Sequence, residues 1–147
     1  MEIIKELRDQ TGLSFDKIKK ALDEAGGDRD KALEVLASQA GEMAAKKSER
    51  EAKDGLVASY VHSNGKVGAL VTLACETDFV ARNEAFKELA RDLAMHASAM
   101  RPSDESEMLS QSFVKDPNTT VQDVINQAIA KLGENIKLVN FSIQAIG

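Results

Sequence analysis

Apolar residues recur with a helical period over the first forty positions. Ile3, Ile4 and Leu7 form one stripe, Ile18, Ala21, Leu22 and Ala25 a second at i, i+3, i+4 and i+7, and Ala32, Val35 and Leu36 a third. Gly12 closes the first stripe in C-cap geometry, and Ser14 opens the second as its N-cap. Gly26-Gly27 ends the second and Asp28 caps the third. The pattern predicts a three-helix module over 1–40, too small to bury much surface and marginal alone. Residues 41–54, GEMAAKKSEREAKD, are charged and rich in Ala and Lys. They read as a linker, helical or not, solvated all round.

The period then shifts from helical to alternating. LVASYVH at 56–62 and the run 67–75 read as two strands joined through Ser63-Asn64-Gly65-Lys66, and Asn-Gly is a strong hairpin signal. The second strand is apolar on both faces at its centre. An amphipathic helix is predicted over 83–100, with Phe86, Leu89, Ala90, Leu93, Ala97 and Met100 on one face. Residues 103–118 are acidic and then extended. A second helix starts near Thr120, where Asp123 has capping-box spacing, and ends at Gly133. Residues 135–146 form a third strand, in which Val139, Phe141 and Ile143 alternate with Asn140, Ser142 and Gln144.

These elements predict an α+β fold. A three-helix module at 1–40 and a linker at 41–54 precede a core at 55–147 of about three antiparallel strands with helices on one face. Such a sheet leaves its other face open, and the hairpin's mixed apolar pattern suits cover by a second copy of the chain. A homodimer is expected.

Composition narrows the function classes. Of 147 residues, 43% are hydrophobic and 29% charged, the balance of an ordered globular chain. Aromatics are only 4% and Trp is absent, so the core is aliphatic. The net charge of −5 argues against a surface that tracks a nucleic-acid backbone. One Cys allows neither an internal disulfide nor a Cys-based zinc site, and fits a reducing cytoplasm. No apolar run reaches membrane-spanning length.

Little here suggests bond-breaking chemistry. His62 and His96 lack His or Cys neighbours at ligand spacing and read as surface histidines. Cys75 falls on an apolar strand and reads as structural. Glu76 and Asp78 share a face of an extended segment, but nothing beside them resembles a hydrolase site. Neither of the familiar glycine-rich phosphate loops, GxxxxGK[ST] or GxGxxG, occurs. No enzyme activity and no cofactor are expected. Lys17, Lys19 and Lys20 read as a solvated face, with an acidic partner as the alternative.

Phe79 is the position that bulk properties do not explain. It stands in CETDFVARN, between the second strand and the long helix, at a junction that looks exposed. Leaving a Phe in water forgoes roughly 1.5–3 kcal/mol of burial. Two readings stand: Phe79 staples onto its own helix start, or it is an aromatic anchor for a partner's pocket.

Three stretches resemble one family, elongation factor Ts, the nucleotide exchange factors of elongation factor Tu. KELRDQTGLSFDKIKKALDEAGGDRDKALEVL is similar to its N-terminal module, itself similar to ubiquitin-associated domains. TDFVARN resembles its signature segment, and VKDPNTTVQDVINQAIAKLGENIKLVNF its closing helix and strand, with GENI distinctive. The chain resembles the family's short form. The resemblance implies that Asp78 and Phe79 insert beside the Mg²⁺ site of elongation factor Tu and release GDP, with Thr77 and Val80 fixing the turn. It also implies that the N-terminal module grips the same partner through Arg8 and Phe15. Asp16 and Asn140 depart from the family's usual residues. The rival reading is an adaptor, a ubiquitin-associated-like module on a dimerising core, which leaves TDFVARN without a role.

Overall fold

The computed structural model describes residues 2–147; Met1, the first residue of the expected module, lies outside the described residues. The chain opens with α1 (Glu2–Thr11), α2 (Phe15–Glu24) and α3 (Arg29–Lys47). The Ser14 side chain accepts from the Lys17 amide at 3.3 Å, and Asp28 accepts from the Asp30 amide at 2.9 Å, so both caps act as expected. Leu7, Ile18, Ala21, Ala32 and Leu36 meet in a small aliphatic cluster.

The third helix runs further than its apolar stripe suggests. Residues 41–47, expected as the start of a solvated linker, form its last turns. Ala40 is buried, Ala44 packs on the large core, and α3 lies along α7 (Val121–Leu132). Alanine explains the difference. It has the best intrinsic helix propensity, and its small side chain lets two helices approach without a bulky stripe to announce the contact. Lys131 of α7 also covers Gly12, where an added Cβ would lie 2.6 Å from the lysine Cε.

The core is built on the antiparallel sheet β1 (Asp54–Val61), β2 (Val67–Cys75) and β5 (Lys137–Ala145), in the order β1-β2-β5. The hairpin closes through Gly65 at φ +71°, with the Gly65 amide donating to the His62 carbonyl at 2.7 Å. Gly55 has no substitute: its φ is +141°, and a Cβ there would lie 2.1 Å from the Leu73 carbonyl oxygen. The register aligns Leu56, Leu73 and Leu138, and also Ala58, Val71 and Phe141, on one face. The helix α5 (Glu84–Met100) covers that face. A bulge between Thr72 and Leu73 leaves Val139 unpaired and exposed, so Leu138 takes the inward place that simple alternation gives to Val139. The opposite face is open and carries exposed Val57, Val61 and Leu70 beside Ser59 and Ser142.

Between α5 and α7, the acidic stretch folds into α6 (Glu105–Ser110), followed by a small ladder of β3 (Ser112–Phe113) and β4 (Asp116–Thr120). Thr120 and Asp123 form the expected capping box, and Gly133 ends α7 at φ +79°. This segment corrects the reading of His96, which is fully buried. Its ring stacks on Phe113, Nε2 lies 2.8 Å from Gln111 Oε1, and Nδ1 accepts from the Val114 amide at 3.2 Å. The amide fixes Nδ1 as the bare nitrogen and Nε2 as the donor, the neutral tautomer. Burial lowers its pKa below 6.5. His62 is exposed, as expected, with the Tyr60 hydroxyl 3.0 Å from its Nδ1.

Candidate functional site

As β2 ends, the Cys75 thiol donates to the Thr77 carbonyl at 3.2 Å, and the chain turns into the single-turn helix α4 (Asp78–Ala81). Thr77 is its N-cap, with Oγ1 accepting from the Val80 amide at 3.3 Å. Val80 and Ala81 are buried in the large core. Successive residues of a helix point about 100° apart, so a turn anchored by positions 80 and 81 aims its second residue outward. Phe79 is 84% exposed. This resolves the two readings on one point: the ring does not staple onto its own helix. Asp78 accepts from Arg82 Nε at 2.7 Å and is paired with the same guanidinium through Nη2. That pair is solvent-facing and contributes little to stability.

The turn is held from behind by residues that follow α7. Glu134 Oε1 accepts from the Glu76 amide at 3.1 Å and the Thr77 amide at 3.0 Å, and Oε2 accepts from the Thr77 hydroxyl at 2.7 Å. Glu76 returns the contact, accepting from the Asn135 amide at 2.6 Å. Buried Asn135 donates through Nδ2 to the Arg50 carbonyl at 2.8 Å. Glu76 and Asp78 therefore face different partners and form no carboxylate pair. Neither Glu134 nor Asn135 stands out as a site residue in the sequence. The signal for them is the GENI stretch, distinctive in the family resemblance, in which an acidic-amide pair immediately follows a glycine helix stop.

Cys75 is fully buried, and its thiol pKa is pushed up to about 11 by burial first and the Glu134 carboxylate second. A thiol so shifted is a weak nucleophile near neutral pH. Its strand partner is Asp54, at the far end of β1 from His62, roughly 25 Å away at the rise of a strand. Among the described residues, no group of three or more His, Cys, Asp or Glu is placed to hold a metal ion. In the N-terminal module, Arg8 and partly exposed Phe15 line one shallow depression with Ile4 and Leu13. The structure brings these two together, on a different cluster from the one that anchors α4.

A helical module joined through α3 to α7 of a core with an antiparallel sheet, with an exposed aromatic on a clamped turn, defines a small α+β protein. The family model described as Elongation factor TS matches residues 76–145, which include that turn. Elongation factor Ts of Fervidobacterium nodosum is 40% identical over an alignment of 191 positions covering 99% of this chain and 97% of the relative. That of Thermosipho melanesiensis is 39% identical, with 99% and 97% covered. The Aquifex aeolicus protein is 44% identical over 146 residues, 96% of this chain and 50% of the relative. The chain belongs to the elongation factor Ts family. Alignments of 191 positions exceed its 147 residues, so those relatives carry segments that it lacks.

Proposed function

We propose that this protein is a guanine nucleotide exchange factor that promotes GDP release from elongation factor Tu during translation elongation in the cytoplasm. The Asp78–Phe79 turn enters the partner beside its magnesium site and disturbs the metal and phosphate contacts that hold GDP. Arg8 and Phe15 of the N-terminal module grip the same partner. The observation that carries this reading is Phe79, 84% exposed on a turn otherwise anchored in the core. An aromatic so presented gains its burial only in a complex, as an interface anchor does. The mechanism is linkage: a factor that weakens GDP binding is itself weakened by GDP to the same extent. No bond in the protein is made or broken, and it needs no cofactor of its own.

The test is release of a fluorescent GDP from matched elongation factor Tu, alone, with this protein, and with Phe79→Ala. Acceleration that falls about thirtyfold in the variant is expected, the ~2 kcal/mol of a hot-spot residue. Binding without acceleration would favour the adaptor reading instead.

We further propose that the open sheet face closes on a second copy. Val57, Val61 and Leu70 are exposed there, Val61 at 68%, and sheet-on-sheet packing would cover them. Light scattering at micromolar concentration is expected to give a dimer, and Leu70→Lys a monomer. A wild-type monomer would end this proposal.

A further inference from the structure

Three of the hydrogen bonds that shape the exposed turn end on one carboxylate, far away in sequence. We propose that Glu134 is a positioning residue for exchange: it fixes the Glu76-Thr77 backbone in the orientation from which α4 presents Phe79 to the partner. This rests on the exchange reading above.

The helix α4 has only four residues. One helical turn does not sustain itself, because nucleation fixes several dihedrals for a single hydrogen bond. Its direction must be imposed from outside. Val80 and Ala81 tether it to the core, but apolar contacts are non-directional. Besides the weak thiol bond from Cys75 to the Thr77 carbonyl, the directional contacts come from Glu134. Oε1 receives two consecutive amides, at 3.1 and 3.0 Å, which sets two adjacent peptide planes. Oε2 receives the Thr77 hydroxyl proton at 2.7 Å, which turns an oxygen lone pair toward the Val80 amide. The carboxylate thus shapes the N-cap as well as the approach to it. A carboxylate only accepts, and all three of these neighbours donate, so the match is complete in sign.

The reciprocal bond, Asn135 amide to Glu76 Oε2, stops the corner from rotating about Glu134. Asn135 then reaches the Arg50 carbonyl, just beyond α3, and Lys47 Nζ donates to the Gly133 carbonyl at 3.1 Å. The aim of Phe79 is therefore referenced to the helix that leaves the N-terminal module. Positioning of this kind acts on the productive geometry, and a small misplacement is costly.

The full-length chain is compared with Glu134→Ala, Glu134→Gln, Phe79→Ala and the Phe79→Ala/Glu134→Ala double variant. Two quantities are read: hydrogen exchange at the Glu76 and Thr77 amides of the free protein, and GDP release as a maximal rate and a half-saturating concentration. Glu134→Ala is expected to speed exchange of both amides by about tenfold or more and to lower the maximal rate about tenfold. The half-saturating concentration should move less than about twofold, because the Arg8–Phe15 depression is untouched. Glu134→Gln keeps a carbonyl acceptor and should recover most of the rate. In the Phe79→Ala background, Glu134→Ala should add no further loss.

Unchanged amide exchange, an unchanged maximal rate, or an equal further loss in the Phe79→Ala background would each overturn the positioning role while leaving the wedge intact. Full-speed release by Phe79→Ala would overturn the wedge, and the role of Glu134 with it. Should Glu134→Ala fail to fold, Thr77→Val, which removes the hydroxyl that donates to Glu134 and caps the Val80 amide while leaving both backbone amides in place, carries the test. It should slow maximal release about threefold, and an unchanged rate would overturn the proposal.

Discussion

Phe79 and Phe86 flank the start of one long helix, and their surroundings are opposite. Phe86, in the first turns of α5, is fully buried among the sheet's inward side chains. Phe79, on the short turn before it, is 84% exposed. The turn obtains its shape from hydrogen bonds to Glu134 and from the small anchors Val80 and Ala81; the helix obtains its place from an apolar stripe. Removing the aromatic is expected to leave stability nearly unchanged in one region and to lower it in the other. A side chain so exposed on an otherwise well-held segment contributes little to the monomer's own stability.

Substitution at each position sharpens the contrast. Phe86→Ala should cost about 3–5 kcal/mol of folding stability, lowering the melting temperature by roughly 10 °C or more; thermal unfolding reads this directly. Phe79→Ala should leave the melting temperature within about 2 °C, since surface changes stay near ±0.5 kcal/mol. Nucleotide release should nevertheless fall about thirtyfold. A Phe79→Ala protein as unstable as Phe86→Ala would break the contrast. The smallest effect concerns pH. His96 is neutral and buried, with its pKa lowered from 6.5 by burial. The unfolded chain takes up this proton first as pH falls. The contribution is therefore complete above pH 6.5 and is lost as pH drops through the folded value. Denaturant midpoints at pH 7.5 and pH 5.5 should differ less in His96→Gln than in the wild type.

Sequence patterns reveal the long elements well and the short ones poorly. The hairpin was legible because alternation and Asn64-Gly65 agree, and α7 because its capping box, stripe and Gly133 stop agree. The helix α6 was not, since a six-residue helix contains too little of a 3.6 period to detect. His96 was misread because α5 is covered on a second side by the Gln111–Val114 stretch, which a single apolar stripe does not foretell. At the site, Phe79 announced itself as an aromatic out of context. Glu134 lies in the distinctive GENI stretch, but its tie to the turn stayed hidden because its contacts reach back 57 and 58 positions, a distance at which local spacing carries no information. Alanine hid the end of α3 for a simpler reason: it packs without looking hydrophobic enough to form a stripe.

That helix has a mechanical consequence. Its 19 residues span about 28 Å as one rod, with Leu36 engaged in the module and Ala44 against the core. A rod of this kind transmits angle as well as length. One residue inserted between those contacts would rotate one end against the other by about 100° and shift it 1.5 Å. Either the module or the core could then seat its side chains, but not both. Between Leu36 and Ala44 the rod is thus constrained in phase more than in chemistry: a changed surface side chain leaves both contacts aligned, while a changed length does not.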